Sequence, residues 1–141
     1  MTCYKKSSCM AINTASQAVS ANGIANFATS NTTGCSISYI NGSNTVTLKN
    51  KGLYYVNVSA ELIGTTAGTG TIQLLKNNTA VPGAQAAATL SSGDTVNLSF
   101  AAVIDVLQSC DCINNKAALQ VQLAGVGATV NNITMTAIKI A

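Results

Sequence analysis

Five cysteines, Cys3, Cys9, Cys35, Cys110 and Cys112, are the side chains with the sharpest chemistry in this 141-residue chain. An odd number invites either bonds between copies or a spare thiol. One reading joins Cys3 and Cys9 of one copy to Cys110 and Cys112 of a neighbour, a covalent staple that would resist heat and protease. A second gathers four thiolates around zinc, although the Cys110-Asp111-Cys112 spacing is tighter than the roughly two to four intervening residues usual for that metal. A third leaves the thiols reduced and without a role.

The other residue types argue against catalysis. Histidine is absent, which removes the commonest general base, the usual partner of a nucleophile and the commonest metal ligand together. Glu61, Asp94, Asp105 and Asp111 are the only carboxylates. Alternation puts Glu61 on the outward side of its strand and Asp94 in a turn, so nothing proposes an acid/base pair. Neither an enzyme nor a cofactor is expected.

Charged residues make up 8% of the chain, about a third of the usual share. Such polar but uncharged surfaces suit subunit packing or a harsh exterior. The net charge of +3 comes from lysines at 5, 6, 49, 51, 76, 116 and 139, without arginine, and along the sequence they are spread rather than gathered. With four tyrosines and two phenylalanines as the only aromatics, a base-stacking platform is not expected, and neither is nucleic-acid binding.

The elements that must position these residues read as strands. From Gly52 to Leu62, Tyr54, Val56, Val58, Ala60 and Leu62 share one face at period two. Further strands are predicted over 24–28, 35–40, 45–48, 71–76, 86–90, 95–105, 118–123 and 132–140. Asn41-Gly42, the turn over 76–79 and Ser91-Ser92-Gly93-Asp94 punctuate them. Pro82, the only proline, marks a sheet edge or a bulge.

The length fits one domain, with residues 1–20 read as an N-terminal arm and 21–141 as the folded unit. No apolar run approaches the roughly 20 residues of a membrane span, and the segment after Lys5-Lys6 is too polar for a secretory core. The last strand is apolar on both sides. Ile133, Met135 and Ala137 line one face, while Ile138 and Ile140 lie on the other. The second side needs a cover, most simply a neighbouring copy, and Tyr55, opposite the core residue Tyr54, is expected at the same boundary.

The order of these signals resembles the tumour necrosis factor-like jelly roll, which also forms the globular head of the complement first component, and bacterial and phage members most. The matching segments are Thr47 to Val56, with its Gly52-Leu53-Tyr54; Leu74 to Gly83; Gly93-Asp94-Thr95-Val96-Asn97-Leu98; and Ile133 to Ile140.

The resemblance implies an all-β jelly-roll sandwich of about eight to ten antiparallel strands, forming a homotrimer with Tyr55, Ile138 and Ile140 at its interface. It also implies display on a virion, as a head or tail fibre, or on a bacterial spore or cell surface, with the arm used for attachment or for linking trimers. Asp94, Asp105 and Asp111 could contribute to a calcium site like those some family heads carry, against the plainer reading of Asp94 as a turn cap. The alternative function is adhesion to a host glycan or protein through apex loops 64–70 and 107–116. A sugar-stacking role for Tyr39 or Tyr4 has no support in the sequence.

Overall fold

The segment with the clearest alternation is the spine of one sheet. In the computed structural model, which describes residues 6–39, 42–106 and 117–141, Tyr54, Val56, Val58, Ala60 and Leu62 are buried, while Tyr55 and Ser59 between them are exposed. The strands in chain order are β1 (Ser8–Asn13), β2 (Gln17–Val19), β3 (Gly23–Ile24), β4 (Thr29–Thr33), β5 (Ile37–Tyr39), β6 (Val46–Leu48), β7 (Gly52–Gly64), β8 (Gly68–Lys76), β9 (Thr79–Leu90), β10 (Thr95–Val106), β11 (Ala117–Gly125) and β12 (Ala128–Lys139).

They form two antiparallel sheets, ordered β10-β7-β12-β1-β4, with β2 also on β12, and β5-β6-β11-β8-β9, with β3 on β11. The chain passes between the sheets after β2, β3, β4, β6, β7, β9, β10 and β11. Strands that pair are therefore often far apart in sequence, as in a jelly roll.

Turn chemistry sets the hairpins. Asn77 and Asn78 both take left-handed conformations, φ 52° and 68°, as a two-residue type I′ turn requires, and join β8 to β9. Pro82 lies on β9, which is an edge strand, beside an irregularity in the β8–β9 register. The structure thus satisfies both readings of the proline, because an edge position needs no N–H there.

One boundary is corrected. Residues 1–20 are not an arm as a unit: β1 lies between β12 and β4, and β2 continues beside β12. The inward residues of β1 are Cys9 and Ala11, 1% and 0% exposed. Both are small and weakly marked as strand formers, so their alternation was silent in the sequence. The segment predicted as a strand over 24–28 is shorter, Gly23–Ile24. Beyond it Ala25 and Phe27 remain buried, and their N–H groups donate to the carbonyls of Val121 and Ser43.

The inner faces of both sheets make one core, from Leu74, Leu119 and Val121 on one side to Tyr54, Val58 and Met135 on the other. The Tyr54 hydroxyl donates to the Asn50 carbonyl at 2.7 Å, and among the described residues no buried side-chain polar atom lacks a partner. Truncating Leu119 or Met135 to Ala is expected to lower unfolding free energy by about 2–5 kcal/mol each. Tyr54→Phe, which removes only the hydroxyl, is expected to lose about 1 kcal/mol. Urea titration of the three variants checks the order, and equal losses would contradict the packing.

Candidate functional site

The outer face of the β10-β7-β12-β1-β4 sheet divides along its length. Val103, Tyr55, Ile138 and Ser8 form one row by register. Met10 follows two residues further along β1, and Ile140 continues past the end of β12. Val103, Tyr55, Ile138, Met10 and Ile140 are the large apolar side chains left exposed among the described residues, at 39 to 58%. Their gathering on one strip of one sheet is the most informative surface feature of the fold.

Tyr55, Ile138 and Ile140 lie where the sequence placed them, opposite the core. Val103 and Met10 were missed. Val103 sits at an outward position of β10 that alternation assigns to solvent, and Met10 belongs to the segment read as an arm.

The other half of this face is polar. Asn97, Glu61 and Asn131 form a row, and Glu61 accepts a hydrogen bond from the Asn131 amide at 3.1 Å. Between them and the bulge in β12 lies a depression of about 420 Å³ lined by Ser59, Glu61, Asn97, Ser99 and Asn132, among others.

The described lysines, spread along the sequence, converge in space. Lys139 donates its N–H to the Ser7 carbonyl, next to Lys6; the Ser7 hydroxyl accepts from the Ser36 N–H; and the Ser36 carbonyl accepts from the Lys49 N–H. The Lys139 stem crosses Gly52, with Cε 2.8 Å from where a Cβ there would stand, and Gly52 follows Lys51. Four ammonium-bearing residues therefore share one end of the sandwich. There Lys6, Ser7, Ser8, Thr33, Ile138, Lys139 and Ile140 line much of a groove of about 840 Å³.

Lys76, at the end of β8, is also at this end and donates to the Asp105 carbonyl at 2.7 Å. Glu61 and Asp94 lie toward the opposite end, Glu61 about 30 Å along β7 from Gly52 at roughly 3.3 Å per residue.

No protein-family profile matches the sequence, and no curated protein matches it. Solved structures do match the fold. Murine APRIL superposes with a TM-score of 0.69 at 10% identity, covering 96% of this chain and 99% of that one. The globular domain of a zebrafish complement 1qA protein gives 0.64 at 11% identity, covering 95% and 97%. The PRD1 vertex protein P5 gives 0.58 at 17% identity, covering 96% and 97%. The fold is a tumour necrosis factor-like jelly roll.

Within this jelly roll several expected sites come apart. Asp94 and Asp105 sit at opposite ends of β10, so they do not share a calcium ion within the chain. The Asp94 carboxylate instead accepts the Ser91 N–H at 3.0 Å, a turn cap. Asp111 lies outside the described residues.

The two apex loops are likewise divided. The connection from β7 to β8 is confined to 65–67 and leaves the sandwich at Gly64, while 107–116 departs from Val106, which pairs with Gly52 at the other end of β7. The Tyr39 hydroxyl donates to the Phe27 carbonyl at 2.5 Å, with its ring edge-on to Phe27, an anchoring role rather than an open sugar platform. Tyr4 lies outside the described residues.

The staple also needs correction at Cys9. Its thiol is buried on the core side of β1 and free, and it accepts the Thr32 hydroxyl at 3.6 Å. A bond from Cys9 to another subunit, or a zinc site that includes it, would require β1 to leave the sheet. Cys3, Cys110 and Cys112 lie outside the described residues, and Cys35 is disulfide-bonded.

Burial raises the Cys9 thiol above its usual value of 9.0, with the Thr32 hydrogen bond opposing. Burial likewise raises Tyr54 above 10.0, opposed by its hydrogen bonds to Asn50 and Ser36. Above those usual values the unfolded chain releases protons that the native state retains, so stability falls as pH rises. Unfolding midpoints are expected to decline above pH 9, and Cys9→Ala to remove the earliest part of that decline. Thermal melts across the alkaline range check this, and an identical alkaline slope in the variant would contradict it.

Proposed function

We propose that this chain is a non-enzymatic display module that works as a homotrimer on the outside of a virion or of a bacterial spore or cell. The observation that carries the reading is the apolar strip of Val103, Tyr55, Ile138, Met10 and Ile140 on a sheet whose opposite face is already the core. Water-exposed rows of this kind are covered in a working assembly. The strip runs from the edge strand β10 into the sheet interior, so the edge of one copy can meet the face of the next. Contacts of that head-to-tail type close into a ring when the rotation allows.

The threefold state is supported by the resemblance to the tumour necrosis factor-like family, whose jelly rolls form trimers. Similarity to the PRD1 vertex protein P5 supports a virion. The polar half of the same face, with one carboxylate in a field of hydroxyls and amides, adds no like-charge cluster to oppose association. A standard interface of about 1,600 Å² per pair would hold such a trimer without a cofactor.

The reading of a host-binding module built on paired apex loops loses its geometric basis, since the two loops are attached at opposite ends. Sedimentation velocity at micromolar concentration tests the trimer. The wild type is expected at three times 14.3 kDa, and Tyr55→Asp or Ile138→Asp is expected to yield monomers with unchanged β-sheet circular dichroism. A wild-type particle of 14.3 kDa would end the reading.

A further inference from the structure

One step beyond the row of Val103, Tyr55, Ile138 and Ser8, toward the lysine end, the outer face carries a row of different character. Asp105 pairs with Leu53 by register, and the Leu53 carbonyl accepts the Ile140 N–H at 2.8 Å. The β1–β12 register, continued past Ser8 and Ile138, sets Lys6 opposite Ile140. Alternation turns all four outward, since Ile104, Tyr54 and Ser7 beside them are buried while Asp105, Ile140 and Lys6 are exposed. From the edge strand β10 inward the row thus reads carboxylate, leucine, isoleucine, ammonium.

Its two charges do not satisfy each other. β10 and β1 stand three strand spacings apart, about 14 Å, beyond the roughly 8 Å screening length of physiological salt. Lys76 donates to the main-chain carbonyl of Asp105, and the Asp105 carboxylate forms no ion pair among the described residues. Ala141, beside Ile140, has its carbonyl taken by the Leu53 N–H at 3.2 Å.

The order of charges selects how copies can meet. A two-fold pairing of edges sets Asp105 against Asp105, and a two-fold pairing of faces sets Lys6 against Lys6. Only a head-to-tail contact, the edge of one copy on the face of the next, brings the carboxylate to the ammonium. Next to Asp105 the edge also has room for an apolar side chain, because Val81, Pro82 and Val103 line a groove of about 300 Å³ there.

We propose that Asp105 of one copy pairs with Lys6 of the next, whose Ile140 side chain enters the groove of Val81, Pro82 and Val103. The groove is complete only when the neighbouring copy fills it. This rests on the trimer reading above and adds which groups meet across the contact, and why the apolar strip closes a ring instead of pairing two-fold.

Sedimentation velocity of the full chain over a concentration series tests it. Asp105→Lys and Lys6→Asp are each expected to raise the concentration at half assembly roughly tenfold, and to recover toward wild type at high salt. The double variant Asp105→Lys/Lys6→Asp restores opposite charges across the contact, and is expected to assemble within about threefold of wild type. Ile140→Ser is expected to weaken assembly at every salt concentration. Lys49→Asp changes the net charge as much as Lys6→Asp but lies off the row, and is expected to leave assembly unchanged.

Losses that simply add in the double variant would overturn the pairing. So would single charge variants that assemble like the wild type, or a wild-type two-fold dimer. The two ideas fail separately: a trimer indifferent to these charges refutes only the Asp105–Lys6 pair, and a ring of another size that obeys them refutes only the threefold count. A wild-type monomer ends both.

Discussion

The structure depends on β7 keeping its two faces distinct. The strand is paired along one edge by β10 over its whole length and along the other by β12, so its period-two alternation decides which side of three strands becomes core. A slip of one residue in either register would turn Tyr54, Val56 and Val58 outward and put Asn57 and Ser59 into the interior. The second sheet can close on the first only because this face is apolar without interruption from Tyr54 to Leu62.

The same constraint makes the outer face informative. Nothing in the fold requires Val103, Tyr55 and Ile138 to be apolar, since none reaches the core, yet they fall in one row across three strands. A polar row would serve an isolated chain as well. The apolar strip is therefore not needed by the chain's own core, and Ser, Thr and Asn residues occupy the same face further along.

Polarity along the long axis adds a second asymmetry. Lysines from the start of β1, the β6–β7 turn and the end of β12 meet at one end, together with Asp105, whereas Asp94 and Glu61 lie toward the other. The two ends of the sandwich are thus chemically different. The bulge in β12 between Asn131 and Thr134, with Asn132 left-handed, falls within the polar part of this face, since Thr136 opposite Asn57 and Thr134 opposite Ser59 already separate it from Ile138.

What could be read from residues alone was whatever is local. Alternation over 53–63 and 95–105, the paired asparagines at 77–78, the proline on β9 and the two-sided apolarity of β12 are short-range patterns, and the structure reproduces each of them. β1 escaped because Cys9 and Ala11 are too small to announce a buried face.

The lysine cluster, the separation of Asp94 from Asp105 and the parting of the two loops could not be read at all. They follow from eight crossings between sheets, and a crossing is determined by which strands distant in sequence pair with one another, an energy shared by the whole core and carried by no single segment.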